Sequence, residues 1–299
     1  MGRLSLAFLG GPEIRHAGRL ITLPTRKALA LLAYLAVEGG VHSREKLTAI
    51  FWPESDSAQG RATLRSTLAL LRDALGEPDA HLIASRASLA FNIDSEFDLD
   101  IQTLRLAVRA TRELPLIARS GAIPASPPAN LRALLTQLKA AADSCRGDFL
   151  EGFSLSDAPE FDDWASMQRE SFHRATTLVF DWLSQMQFES GELDQAIEVT
   201  AGWVARDQLG EAAHRRLMQV YWAAGDRAGA LQTYDGCCAI LERELNAEPA
   251  PETTALAERI RRDNLGSEHV ELRNESRAAS FSMLNSQCPC RWSGARPNI

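Results

Sequence analysis

Apolar and polar positions alternate between residues 3 and 23. RLSLAFL reads as a strand, Gly10-Gly11-Pro12 interrupts it, and EIRHAGRLITL reads as a hairpin turning at Ala17-Gly18. The period then lengthens to that of a helix. Pro24-Thr25 opens RKALALLAYLAVE, whose apolar positions are dense enough for burial, and Gly39-Gly40 stops it, since glycine readily takes the left-handed conformation that ends helices. After Val41-His42, Ser43 is placed to N-cap a second helix, REKLTAIF, with Glu45 in its first turn, and Trp52-Pro53 ends it. A polar loop, ESDS, leads to a third helix predicted from about Ala58 to Leu75, with Gly76 as terminator. HLIASRASLAFNI reads as two short strands turning near Arg86-Ala87. Helices two and three are too short to be stable alone, so they need a shared core. The order of elements predicts a helix-turn-helix whose last hairpin lies beside the third helix as a wing. Leu47, Phe51, Trp52, Leu64, Leu68 and Leu71 are its predicted core.

FDLDIQTLRLAV marks the crossing into a second region. Residues 111–130 contain Pro115, Pro124, Pro127 and Pro128, which forbid continuous helix, so a loop is expected there. From Leu131 the pattern is helical and repeats. Phe188, Gly191, Glu192, Ala196 and Thr200 recur as Trp222, Gly225, Asp226, Ala230 and Tyr234, which is the 34-residue tetratricopeptide period. The two alanines allow paired helices to approach closely, and the aromatics fill the space around them. Residues 160–188 and a last helix after Pro249 and Pro251 complete the predicted stack. Beyond about residue 264 no apolar stripe remains, and a disordered tail, or an abnormal end to the reading frame, is expected. The expected fold is therefore mainly α with a small β component. A winged helix-turn-helix over 1–101 precedes a tetratricopeptide-like helical domain over 102–263 and a tail over 264–299.

The third helix lies in GRATLRSTLALLRDALG, residues 60–76. Its leucines form one stripe, and its other face carries Arg61, Thr63, Arg65, Ser66, Thr67 and Arg72 with no carboxylate before Asp73. The whole chain has 32 Lys and Arg against 39 Asp and Glu, a net charge of −7, which argues against indiscriminate nucleic-acid binding. The charge is unevenly placed. Residues 1–93 hold 11 basic and 8 acidic side chains, leaving an acidic remainder. Carboxylates facing phosphates would be repelled, so a basic, acid-free face within the only basic region fits a surface that reads duplex DNA. A solvated face that merely happens to be basic is the plainer alternative; the paired helix and the wing weigh against it.

Arg65 is placed to grip a guanine edge bidentately, while Thr63, Ser66 and Thr67 are placed for bases or phosphates. Arg61 and Arg72, nearer the helix ends, are assigned to phosphates, as are Arg26 and Lys27 at the start of the first helix and Arg44 at that of the second. An ordinary solvated helix start explains Arg26 and Lys27 equally well. Arg86, at the wing tip, is placed to reach the minor groove or its backbone.

Enzyme templates are absent. The sequence has no GxxxxGK[ST], HExxH, GxSxG or dinucleotide-binding glycine pattern. His269-Val270-Glu271 and Cys288-Pro289-Cys290 fail the zinc-deaminase spacing, and Cys237-Cys238, adjacent on a helix, point apart. No catalytic residue, metal or cofactor is assigned. Five cysteines, no long apolar run and no signal-peptide pattern predict a cytoplasmic chain with free thiols.

LPTRKALALLAYLAVEGG, VHSREKLTAIFWPE and GRATLRSTLALLRDALG together resemble the winged helix of the Streptomyces antibiotic regulatory protein type. GDFLEGFSLSDAPEFDDWASMQRE and EAAHRRLMQVYWAAGDRAGALQTYDGCCAILERELNAEPAPETTALAERI resemble the bacterial transcriptional activation domain that follows it. The resemblance covers about residues 3–263. It implies a transcriptional activator that binds repeated promoter sites as a homodimer and recruits RNA polymerase, with the third helix reading the major groove. It also implies a polymerase contact in the loop from Trp52 to Ser57, through Trp52, Glu54 and Asp56. The Pro-rich segment 104–145 is longer than the usual linker, and the ATPase of larger relatives is expected to be missing. The competing expectation is a helical-repeat adaptor that binds proteins without reading DNA.

Overall fold

The computed structural model describes residues 3–76, 81–113 and 129–262. They form two compact units. One comprises the chain up to Arg112 together with Asn130–Trp182, and the other comprises the chain from Leu183 on together with Glu113 and Ala129.

The first unit opens with β1 (Leu4–Ala7), β2 (Glu13–His16) and β3 (Arg19–Leu20), whose turn places Ala17 and Gly18 at positive φ as the hairpin requires. Next come α1 (Arg26–Glu38), β4 (Val41–Ser43), α2 (Arg44–Phe51), α3 (Ser57–Leu75), β5 (Leu82–Ala84), β6 (Ser88–Phe91), β7 (Phe97–Leu99) and α4 (Asp100–Glu113). Local chemistry sets the helix ends. The Thr25 hydroxyl accepts from the Ala28 amide, that of Ser43 from Lys46, and the Asp56 carboxylate from Ala58 and Gln59; Gly76 closes α3 in the left-handed conformation. From Ala30 to Val37 every residue of α1 is buried, so this helix is the centre of the unit.

The strands form two sheets, of order β3-β2-β1-β7 and β4-β6-β5. Two strands depart from expectation. Val41–Ser43, expected as a connection, adds a third strand to the wing by pairing with β6. Phe97–Leu99, expected to lead into a second region, returns to pair in parallel with β1. Asp100 then fixes the joint. One of its carboxylate oxygens accepts from the amides of both Phe8 and Leu9 at 2.6 Å, and the other accepts from Ile101 at 2.7 Å.

The chain re-enters this unit after α5 (Ala129–Ser144). Residues 146–151 run along the end of β1. Arg146 donates its amide to Leu9, Leu150 donates to Phe8, and Gly10 donates to Asp148. The Arg146 guanidinium reaches the carbonyls of Ala7 and Gly11, both at 3.1 Å. Gly10, at φ 111°, is needed here, because a Cβ would meet that of Arg146 at 3.0 Å. Phe149, Phe153, Phe161 and Trp164 then join Tyr34 and Phe51 in one aromatic cluster, and the Trp164 indole donates to Glu38 at 2.6 Å. Compactness thus follows packing across the chain. The segment read as the start of the helical domain supplies part of the core around α1.

The helix α6 (Pro159–Glu189) runs from the first unit into the second, which continues with α7 (Leu193–Arg206), α8 (Glu211–Ala223), α9 (Arg227–Leu245) and α10 (Pro251–Arg262). The 34-residue period holds at the level of single hydrogen bonds. Glu192 donates to Gln187 and Gly191 to Phe188, just as Asp226 donates to Tyr221 and Gly225 to Trp222. Gly191 and Gly225 both take positive φ, and Ala196 and Ala230 are fully buried. The last helix is clasped onto this array. Glu211 accepts from the amide of Ala250 and the hydroxyl of Thr253, and Arg259 lies 5.3 Å over the Trp222 ring. Cys237 is buried, and burial, aided by Glu211, pushes its thiol up to about 11. Native protein at pH 8 is therefore expected to leave Cys237 unalkylated while half-buried Cys238 reacts, as read by mass spectrometry of peptides; equal labelling would refute the packing.

The prolines expected to break the chain between 111 and 130, and the tail from residue 264, lie outside the described residues. Among the described residues no helix is long and apolar enough to cross a membrane.

Candidate nucleic-acid interface

A helix turns 100° per residue, so the two faces of α3 can be read from exposure. Gly60, Leu64, Thr67, Leu68, Leu71 and Leu75 form its buried face. Ala58, Gln59, Arg61, Ala62, Arg65, Ser66, Ala69 and Leu70 form its exposed face, and Asp73 is the first carboxylate along it. Gly60 sits where α3 crosses α2; a Cβ would lie 3.5 Å from the Thr48 side chain.

Arg65 is exposed and has no polar partner among the described residues. Arg61 is exposed, and its one polar contact among the described residues is the Ser57 hydroxyl, at 3.5 Å. Thr63 donates its hydroxyl hydrogen to the Gln59 carbonyl at 3.0 Å, and Ser66 donates to Ala62 at 3.2 Å. Held so, these oxygens offer lone pairs. They suit the amino groups of adenine or cytosine and not phosphates, which need donors. Thr67 corrects the expectation for it. It is only 6 % exposed, because it lies three residues after Leu64 and four before Leu71, within the apolar row. Arg72 is half-buried and engaged within the protein, which limits its reach toward a phosphate.

The wing is tied to the start of α2. The Arg44 amide donates to Ala87 and its Nε to the Ser85 carbonyl at 3.0 Å, so this guanidinium positions the hairpin tip. Arg86 is exposed at that tip, and the Ser85 hydroxyl accepts from the amides of Ala87 and Ser88 to shape the turn beneath it.

Two other expected contacts are corrected. Arg26 donates to the Ser154 carbonyl at 2.8 Å and lies 4.6 Å over Phe153. Lys27 pairs with Asp157 at 2.8 Å, stands 5.5 Å above Trp52, and holds the Asp157 carboxyl below the usual carboxylate range. Both cations are thus committed to the first unit's own fold. Of the loop expected to touch polymerase, Trp52 is core, at 8 % exposure, and Asp56 is the α3 cap; Glu54 stays exposed. Sequence reading also passed over Gln59, Ala62 and Ala69. Their spacing from Arg65 and Ser66 puts them on the same face, a signal available from helix geometry.

Known proteins match one segment of the chain at the level of a family and most of its length at the level of single relatives. Residues 124–261 match the family described as the bacterial transcriptional activator domain. The chain is similar to "Regulatory protein AfsR" of Streptomyces griseus, with 26% identity over 260 residues; that match takes in 84% of this chain and 23% of AfsR. It is also similar to "Transcriptional regulatory protein MoaR1" of Mycobacterium bovis and of Mycobacterium tuberculosis, with 24% identity over 270 residues, 87% of this chain and 80% of MoaR1. The chain therefore spans about a quarter of the length of AfsR. Among solved structures, Mycobacterium tuberculosis EmbR, in a complex with a low-affinity phosphopeptide, superposes with a TM-score of 0.63 at 20% identity. That match covers 95% of this chain and 72% of EmbR, and it shares the fold: an N-terminal winged helix and a helical domain. The matches agree with the resemblance to regulators of the Streptomyces antibiotic regulatory protein type, and the relatives named are regulatory proteins.

Proposed function

We propose that this protein is a sequence-specific transcriptional activator in which α3 enters the major groove of promoter DNA. The observation that carries the proposal is the exposed face of α3. From Ser57 to Arg72 it has no carboxylate, and it presents Arg61 and Arg65 free of strong internal partners. At 19 residues α3 is roughly 28 Å long, enough to cross a groove about 12 Å wide. Arg65 is the guanine reader, Arg61 and Arg86 hold phosphates, and Arg44 positions the wing. The relatives' names as regulatory proteins support the same direction. The activator domain acts after DNA is bound, by recruiting RNA polymerase; Glu54 is the loop residue exposed for that contact. Binding as a homodimer on repeated promoter sites belongs to the same proposal.

The test is selection of duplexes from a random pool by the full chain, followed by titration at several salt concentrations. One enriched motif is expected, with affinity falling steeply as salt rises. Arg65→Ala should weaken binding to that motif by about 1–3 kcal/mol and relax selectivity at a single base pair. An unenriched pool, or unchanged affinity and selectivity in the variant, contradicts the proposal.

A further inference from the structure

We infer that the bases flanking the guanine read by Arg65 are thymines, recognised through their 5-methyl groups by Ala62 and Ala69. The inference rests on the DNA-reading role proposed above and specifies what that site reads. Ala62 and Ala69 are seven residues apart, so they fall within about 20° of each other on the helix. Arg65 lies between them along the axis and about 40–60° to one side of both. All three are exposed, and Leu64, Leu68 and Leu71 hold the opposite face in the core, so the rotation of α3 is fixed. From Ala62 to Ala69 the outermost line of the helix is therefore methyl groups, with the guanidinium to one side, and Asp73 follows on that line one turn later. Ser66, about 40–60° to the other side, keeps its hydroxyl hydrogen on the Ala62 carbonyl and so presents no donor there.

That arrangement selects among base edges. A methyl group offers no hydrogen bond, so it leaves an adenine, guanine or cytosine polar edge desolvated and unmatched. The 5-methyl of thymine is the one apolar group in the major groove, and contact with it removes hydrocarbon from water on both sides. Small side chains also let α3 sit close enough for a guanidinium one turn away to reach O6 and N7. At 1.5 Å per residue the two alanines are about 10 Å apart along the axis. That is roughly three base-pair steps of 3.4 Å. The expected element is a guanine between two thymine methyls about three base pairs apart.

The experiment uses the full chain and the duplex enriched from a random pool, with each thymine replaced in turn by uracil, which deletes only the methyl. Two uracil substitutions, flanking the guanine whose reading depends on Arg65, should each weaken binding about 3–5-fold, the worth of one buried methyl. The effect of one should disappear in Ala62→Gly and that of the other in Ala69→Gly. Ala62→Ser and Ala69→Ser, which replace the methyl with a hydroxymethyl group at less cost to the helix, should abolish the same two preferences while the circular dichroism spectrum stays unchanged. A selected site that tolerates uracil throughout, or uracil effects that persist in both alanine variants, overturns the methyl reading and leaves DNA recognition standing. A pool from which no sequence is enriched overturns both.

Discussion

Asp100→Ala is expected to destabilise the first unit by about 2–5 kcal/mol, the largest loss predicted for any polar side chain here. The carboxylate is nearly inaccessible, and among the described residues it alone satisfies the amides of Phe8 and Leu9, two donors just past the end of β1. Alanine leaves both buried and unpaired. Asp100→Asn should cost less. Its oxygen can still accept from Phe8 and Leu9, but its amino group then faces the Ile101 amide, donor against donor. The pH dependence separates this account from simple packing. Burial raises the Asp100 carboxyl above its ordinary 3.8, against the pull of its hydrogen bonds and of Arg146. The folded state therefore binds this proton more tightly than the unfolded chain does. The corresponding stabilisation is complete below 3.8 and is lost as pH rises through the shifted value. Asparagine does not titrate, so the advantage of the wild type over Asp100→Asn should shrink across that acidic window. Urea unfolding at a series of pH values measures it. A difference that grows with pH would contradict the assignment.

Phe149→Ala is the second large effect, with an expected cost of about 3–5 kcal/mol. Phe149 is 1 % exposed, and its ring meets Trp164 at 5.7 Å and Phe172 at 5.2 Å between centroids. Its backbone bridges Leu9 and Gly10, and its carbonyl accepts from Arg169 at 2.9 Å. Because this residue belongs to the core around α1, its loss should lower DNA affinity as well as melting temperature, although it lies more than seventy positions from α3 in sequence. For the same reason a fragment ending at Arg112 should fail to unfold cooperatively, whereas a chain carried through Trp182 should do so. A stable fragment of 112 residues that binds DNA like the full chain would refute this division.

What sequence reading found and missed sorts by the range of the interactions involved. The boundaries of α1, α2 and α3 were legible because Thr25, Ser43, Gly39 and Gly76 are local signals, each acting on amides or carbonyls within one turn. The repeat was legible because 34 residues separate equivalent hydrogen bonds as well as equivalent letters. β4 and β7 were not legible as sheet strands. Three residues do not show a period, and both exist through pairing with distant partners, β6 and β1. The role of Asp100 depends on β7 and was hidden with it. Arg26 and Lys27 look like free cations at a helix start until residues 153–157 fold back over them. The misplacement of Thr67 and the neglect of Ala62 and Ala69 are different. Helix geometry alone puts the first on the leucine face and the other two opposite, because angle and not polarity decides which side of a helix a residue takes. Asp56 likewise stood at a plain N-cap position, one residue before the helix it begins.

The central claim, that α3 reads a base edge through Arg65, is tested most directly by methylation interference on the selected duplex. Guanines are methylated at N7 at random, and duplexes bound by the full chain are compared with those left free. One guanine whose N7 methylation blocks the wild type should no longer discriminate bound from free duplex in Arg65→Ala, because the guanidinium that needs N7 is gone. The same interference pattern in both proteins would show that Arg65 does not touch that base, and the account of α3 would fail.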